Sequence, residues 1–363
     1  IKKIDNIFNI KYLKKDELPI YDVKYNQKKP FEKLTKKSSQ YILKCFDIAI
    51  RLAKEKKIIG FINCPVSKEH LFQNKYQGIT EFLSKKSGKS GNETMLIFNK
   101  KLSVSPITTH IPLEQVSKKI KKKNIIKKVK IINNFYRKIF NKKPNFAILG
   151  LNPHNFTTSK RSEEKEIIVK AINDLLNSKI KVTGPVAPDS SFMIFKKYKF
   201  DIIIGMYHDQ VLTPFKALYK FEAINITLGL PFLRISPDHG VASNIVGKKI
   251  ANPKSLIESI KFFNLTNWIM DSFYKAKKSL GQNFLIDKNI INKIVEIGKV
   301  DKKKNIMEIG PGYGSLTQVI VSKEPKKIWA IEKDKRLSNL LKKKFIRYKK
   351  VMIINQDILS VLK

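Results

Sequence analysis

Cysteine is nearly missing from this chain. Cys45 and Cys64 are the only two in 363 residues, and they are not spaced as a CxxC pair. A disulfide scaffold and a cysteine-based zinc module are both excluded. No run approaches the roughly 18 consecutive apolar residues of a membrane span, and no signal peptide opens the chain. A reduced, cytoplasmic compartment and no membrane partner are expected. Acidic residues are few, 30 against 73 Lys and Arg, for a formal net charge of +43. Such an excess invites a nucleic-acid reading. The basic residues, however, are mostly lysines scattered beside Ile and Asn, as in a biased composition. Arginine is rare, so each one is informative. Hydrophobic residues make up 42%, enough for a core and against a wholly disordered chain. The length suggests two domains or one large two-lobed one. The first residue is Ile1, and the chain stops soon after the strand-like run Val351 to Asn355; both ends read as cut.

Short apolar runs alternate with longer helical patterns. The runs are IIGFINCPV, LSVSPITTH, NFAILGLNPH, FDIIIGMYH and AINITLGLPF, then NIMEIGPG, KIWAIEKD and VMIINQD. This is an α/β pattern, with ligand groups expected at strand ends. From Val116 to Lys143, Ile125, Ile126, Val129, Ile132 and Phe140 fall at helical spacing with lysines on the other faces, which reads as a solvated amphipathic helix. There is no internal repeat and no Pro/Ser/Gly linker. The style of the sequence changes near Tyr274, where KAKKSLGQNFLID opens a new unit.

Three of the five histidines end predicted strands: His110 in TTH, His154 in LNPH and His208 in MYHD. Three imidazoles converging on one point would suit a divalent metal, with positions left for substrate oxygens. His70 has helix-like neighbours and carries no expected role. A second cluster, Lys216, Asn225 and Arg234, runs through PFKALYKFEAINITLGLPFLRISPDHG. Lys and Arg suit a phosphate or carboxylate, and Gly229, Pro231, Pro237 and Gly240 make this stretch a shaped loop.

The stretches CPVSKEHL, YQGITEFLS, TTHIPL, LGLNPH, GPVAPDSSF, MYHDQVLTPFK, NITLGLPFLRISPDHGVAS and IANPKSL occur in order within residues 1–273. Together they resemble the 4-hydroxythreonine-4-phosphate dehydrogenase family of pyridoxal phosphate biosynthesis. The resemblance implies an isocitrate/isopropylmalate dehydrogenase-like two-lobed fold. It also implies a homodimer with its active site near the subunit interface, NAD, and a divalent metal (Zn, Mg or Co) held by His110, His154 and His208. The implied substrate contacts are Thr80, Lys216, Asn225 and Arg234. Asp189 and Asp209 adjoin the site motifs and, with Lys216, are expected to orient histidines or carry protons. The loop SPDHGVASNIVGKKIANP resembles an adenosine-binding loop, which implies NAD contacts at His239, Gly240 and Asn244. The reaction implied is oxidation of a phosphorylated hydroxy amino acid to a β-keto acid that then loses CO2. Three departures stand out: Ile79 where the family usually has His, NFTTSKRSEE after His154 with the acidic pair Glu163 and Glu164, and Asn244 where Asp is common. A related 4-phosphorylated hydroxy acid is therefore an alternative substrate. The family's N-terminal Gly-Asp-Pro strand is not in the sequence, and a missing piece is expected there.

From residue 275 to 363, KKSLGQNFLID, MEIGPGYGSLT, AIEKDKRL and NQDIL resemble the start of the ribosomal RNA small-subunit adenine dimethyltransferase family. Glycines 310, 312 and 314 permit close backbone approach to a ligand, and Glu332 ends the next strand about 20 residues on, where a carboxylate meets ribose hydroxyls. The resemblance implies a partial Rossmann-like methyltransferase domain. It would bind S-adenosylmethionine through Asn283, Leu285, Gly310, Gly312, Glu332 and Asp357, with rRNA as partner. The catalytic Asn-Leu-Pro-Tyr-like motif is not in the sequence, so the unit as given is expected not to methylate RNA. Two other readings are an RNA-methylating enzyme whose first 273 residues form a basic RNA platform, and a non-catalytic remnant.

Overall fold

β-Branched runs bounded by Gly, Pro and Asn become strands throughout. The computed structural model describes residues 1–4, 16–27, 29, 32–72, 76, 78–156, 161–270, 282, 284–285 and 287–361. The chain divides into two units, Val23–Asn267 and a second composed of Ile1–Asp22 with Trp268–Lys363. The boundary expected at Tyr274 lies outside the described residues. Among the described residues, no helix is long and apolar enough to cross a membrane.

Strands β1 (Lys2–Ile4) and β2 (Pro19–Tyr21) form a small parallel pair. The unit Val23–Asn267 is built on β3 (Gly60–Ile62), β4 (Thr94–Phe98), β5 (Ser103–Pro106), β6 (Phe146–Leu149), β7 (Val182–Val186), β8 (Ile202–Gly205), β9 (Ile224–Leu228) and β10 (Leu233–Pro237). They form one sheet in the order β3-β10-β9-β4-β5-β8-β6-β7. The half containing β5, β8, β6 and β7 is parallel. The other half is mixed, because β9 pairs antiparallel with both β10 and β4, and β4 with β5. A tight connection joins β9 to β10. Gly229 sits there with φ +85°, and a Cβ would lie 2.0 Å from the Asn92 carbonyl oxygen, so only glycine fits.

The helices are α1 (Lys36–Lys54), α2 (Lys68–Phe72), α3 (Ile79–Lys86), α4 (Val116–Lys119), α5 (Lys122–Phe140), α6 (Val169–Asn177), α7 (Pro188–Ile194), α8 (His208–Tyr219) and α9 (Lys254–Met270). Thr35 and Ser38 cap α1 reciprocally. The single helix expected from 116 to 143 is broken at Ile120 and Lys121, and α5 buries Ile125, Val129 and Ile132 as its periodicity requires. Two apolar clusters result. One joins Ile97, Val104, Leu149 and Ile203 of the sheet to Val211 and Phe215 of α8. The other gathers Phe46, Ile50, Phe72, Phe82 and Phe232 around α1, α2 and α3.

After β6 the chain turns back over Glu164, which is buried. Its carboxylate accepts the backbone N–H groups of Leu151 and Asn152, both at 2.8 Å. Burial works against its charge, but these donors outweigh it and hold the carboxyl below its ordinary value.

In the second unit, α10 (Lys288–Ile297), β11 (Asn305–Ile309), α11 (Ser315–Ser322), β12 (Lys327–Ile331), α12 (Lys335–Lys344), β13 (Val351–Ile354) and α13 (Ile358–Val361) follow in turn. The three strands are parallel in the order β11-β12-β13. Val295, Ile320, Ile328, Leu341 and Phe345 form the core. Glu308, on β11, is buried and accepts the Thr317 hydroxyl at 2.6 Å. Burial pushes its carboxyl up to about 7.

Two outcomes are expected. Glu164→Ala strips the acceptor from two backbone donors and should cost about 2–4 kcal/mol in urea unfolding of the full chain. Glu308 has the opposite sign of linkage. Its unfolded form ionises near 4.5 and its folded form near 7, so stability of this unit falls as pH rises between those values and is flat above. The protection of the β12 amides, taken relative to their intrinsic exchange at each pH, should fall across that window, and Glu308→Gln should remove the fall.

Candidate functional site

The antiparallel register builds a polar floor. Arg234 lies opposite Thr227 and Thr227 opposite Met95; Ser236 lies opposite Asn225 and Asn225 opposite Ile97. Opposed residues share a sheet face, so these two rows project together across β10, β9 and β4. Helix α8 supplies a wall, since His208, Leu212 and Lys216 are spaced by four and share one helical face. With Thr80 from α3 and the segment after β10, these residues enclose a cavity of about 460 Å³.

Arg234 is 2% exposed. Its Nε donates to Asn63 Oδ1 at 2.7 Å and its Nη1 to Thr227 Oγ1 at 3.0 Å. Burial pulls the guanidinium down to about 10, against the attraction of Glu81, and leaves it fully charged at neutral pH. Thr80 Oγ1 stands 3.4 Å from Thr227 Oγ1. Lys216 Nζ lies 3.5 Å from Asp238 Oδ1 and donates to the Asp238 carbonyl at 3.4 Å. His239 and Gly240 also line the cavity, and the His239 ring donates from Nδ1 to the Gly240 carbonyl at 2.9 Å.

His110 follows β5 with φ +48°, and its ring centroid is 5.8 Å from that of His208. The His208 Nδ1–H donates to Asp209 at 2.7 Å, which directs the lone pair to Nε2. His110 Nε2 faces Lys68 Nζ at 3.4 Å, while its buried Nδ1 has no hydrogen-bond partner and lies 3.7 Å from Glu81 Oε1. Burial opposes the charge of Glu81, but His110 and Lys68 keep its carboxyl below the ordinary value.

His154 is not part of this cavity. Glu164 ties back Leu151 and Asn152, and His154 and Asn155 then take left-handed φ values of 50° and 60°. The His154 side chain ends 83% exposed, 3.8 Å from Asp189 Oδ2. Among the described residues no three His, Cys, Asp or Glu side chains gather at metal-binding spacing. Within one chain, then, two of the three expected imidazoles, His110 and His208, meet, and His154 faces solvent. Asp209 and Asn244 are exposed, and neither they nor Asp189 line the cavity. Asn63, Lys68 and Asp238 do line it, though none was singled out from the sequence. Asn63 and Lys68 sit within the quoted NCPVSK stretch, and Asp238 directly precedes His239.

The second unit has its own cavity of about 250 Å³ at the strand ends, lined by Gln282, Phe284, Gly310, Gly312, Glu332 and Asp357 among others. Gly310 and Gly312 have φ of 67° and 58°. A Cβ on Gly310 would meet nothing within 4 Å, so its requirement is purely conformational and open space lies above it. Glu332 is buried and accepts N–H groups of Gly312 at 3.1 Å and Asp334 at 2.8 Å. Lys333, 2.7 Å from Asp357, holds that carboxyl below its ordinary value. Leu285 does not line this cavity, and Asn283 lies outside the described residues.

Comparison with known proteins finds a family match for each of two stretches of the chain. Residues 273–361 match the family described as ribosomal RNA adenine dimethylase, and residues 1–263 match that described as pyridoxal phosphate biosynthetic protein PdxA. The chain is 44% identical over 217 residues to a 4-hydroxythreonine-4-phosphate dehydrogenase from Sulfurihydrogenibium sp., covering 59% of this chain and 66% of that protein. It is 40% identical to the protein of that name from Aquifex aeolicus, covering 56% and 64%. The match thus spans slightly less than two thirds of these relatives. The crystal structure of a 4-hydroxythreonine-4-phosphate dehydrogenase from Burkholderia phymatum superposes with a TM-score of 0.60 at 28% identity, covering 72% of this chain and 80% of that one. A terephthalate 1,2-cis-dihydrodiol dehydrogenase from Burkholderia xenovorans, 19% identical over 70% of this chain and 82% of its own with a TM-score of 0.51, shares the fold. On the match of residues 1–263, this chain belongs to the pyridoxal phosphate biosynthetic protein PdxA family.

Proposed function

We propose that the larger unit oxidises 4-phosphohydroxy-L-threonine with NAD. The β-keto acid formed then loses CO2 to give 3-amino-2-oxopropyl phosphate, a step toward pyridoxal 5'-phosphate. The proposed setting is a cytoplasmic homodimer with its active site near the subunit interface, each chain having an isocitrate/isopropylmalate dehydrogenase-like two-lobed fold with the two apolar clusters as lobe cores. The observation that carries the reading is one cavity lined by Thr80, His110, His208, Lys216, Asn225 and Arg234.

Bound NAD supplies the hydride acceptor. Its adenosine end would lie along the loop beginning at His239 and Gly240, where Val241, Val246 and Ile250 are exposed and available to an adenine ring. Arg234 and Lys216 neutralise the phosphate or carboxylate of the substrate. His208, its Nδ1–H committed to Asp209, presents Nε2 to take the proton of the substrate hydroxyl as the carbon is oxidised. Lys216 then donates a hydrogen bond to the ketone oxygen as negative charge develops there during loss of CO2. In the second unit, Gly310, Gly312, Glu332 and Asp357 would bind S-adenosylmethionine, the methyl donor, with rRNA as the partner substrate. An rRNA adenine N6-dimethyltransferase activity of that unit is the second reading, favoured by the strand-end cavity and the match over residues 273–361.

Two measurements test this. In an NADH-formation assay with 4-phosphohydroxy-L-threonine, Arg234→Met should lower kcat/KM about 100-fold, mainly through KM. His208→Ala should act mainly on kcat, by about 10²–10⁴; unchanged kinetics in both variants refute the assignment. For the second unit, Gly310→Ala forces a left-handed backbone costing about 1–2 kcal/mol. By calorimetry it should weaken S-adenosylmethionine binding about tenfold and leave NADH formation unaltered.

A further inference from the structure

The larger unit has another cavity, on the face of the sheet turned away from Arg234. Side chains alternate along a strand, and Phe98 lies opposite Ile224 one step beyond the Ile97–Asn225 pair that faces the cavity of Arg234. Phe98 and Ile224 instead back a cavity of about 270 Å³. Phe262 of α9 closes it, its ring set edgewise to Phe98 at 5.0 Å between centroids. Lys254, Glu258 and Lys261 share that helical face with Phe262. The rim therefore carries two ion pairs, Lys254 with Glu222 at 2.6 Å and Lys261 with Glu258 at 2.8 Å. Two further ammonium groups line it, those of Lys100 and Lys101, and among the described residues neither is ion-paired. Their backbone is held in place. Asn99 Oδ1 accepts the Lys101 N–H at 2.9 Å, and Asn99 Nδ2 donates to the Glu222 carbonyl at 2.8 Å, which pins the turn after β4 to the chain entering β9.

We propose that this cavity binds a small aromatic phosphate monoester, its phosphate between Lys100 and Lys101 and its ring toward Phe98, Ile224 and Phe262. The charge left over on the rim matches a dianion, and a phosphate monoester is close to doubly charged near neutral pH. Lysine suits phosphate as a point charge. The aromatic back favours a ring set edge-to-face over a purely polar body. The volume lies just below the roughly 300–1,000 Å³ of sites for drug-sized ligands, so a single ring fits the cavity better than a dinucleotide does.

Calorimetric titration of the full chain with phenyl phosphate and with methyl phosphate tests this. The native chain should bind the phenyl ester about tenfold more tightly, through burial of the ring. Lys100→Gln combined with Lys101→Gln should weaken one phenyl phosphate binding event about tenfold or more. Neither residue lines the cavity of Arg234, so binding there is left as it is. Lys196→Gln combined with Lys197→Gln, an exposed pair elsewhere on the same unit, should change the affinity less than about twofold, as screened charges outside a site do. Asn99→Ala keeps both charges but frees their turn, and should also weaken binding. Equal losses in the two lysine pairs would mean only adhesion of anions to a basic surface and would overturn the proposal. So would a Lys100/Lys101 double variant that binds phenyl phosphate like the native chain, or a native chain that does not distinguish the two esters.

Discussion

A guanidinium almost sealed from water organises the larger unit. Arg234 can stay charged there only because its N–H groups are met by Asn63, just beyond β3, and by Thr227 on β9, with Glu81 supplying opposite charge. These partners come from neighbouring elements, so satisfying one side chain fixes how β3, β10 and β9 lie side by side. An unpaired buried charge is far more costly than a paired one. The polar rows across β10, β9 and β4 therefore belong to the fold as much as to the cavity, and Thr80 joins them through Thr227.

The two site histidines reach the cavity by different means. His208 opens a helix, and its position follows from ordinary geometry after β8. His110 needs a left-handed backbone, a cost of about 1–2 kcal/mol that the surrounding packing must offset. His154 shows the same backbone strain with the opposite result, its ring turned to solvent by the loop that Glu164 anchors.

Much of the site was legible in the sequence because strand-end placement and the spacing of α8 are local rules. His110, His208, Lys216, Asn225, Arg234, His239 and Gly240 all come to one cavity. What failed was non-local. The runs of β4, β7 and β10 were not picked out, and nothing in their composition announces that β9 pairs antiparallel on both sides. That pairing depends on Gly229 nesting against the Asn92 carbonyl. Strand-end position says nothing about the sign of φ at His154, five residues past β6. Asp238 carries no spacing signal, because its place in the cavity beside Lys216 comes from three-dimensional packing. In the second unit, by contrast, the glycine turn, Glu332 and Asp357 follow directly from strand–turn spacing, and among the described residues Leu285 is the one expected contact that the cavity leaves aside.

The burial of Arg234 separates two kinds of positive charge. The many surface lysines stand in water, where mobile ions damp their fields over about 8 Å at physiological ionic strength. Arg234 is 2% exposed, and a charge so buried is damped far less. Adhesion of polyanions to the outer surface should fade as salt is added, whereas attraction of a small anion to the sheltered guanidinium persists, so the lysine-rich exterior and the interior pocket answer to different chemistry in the same solution.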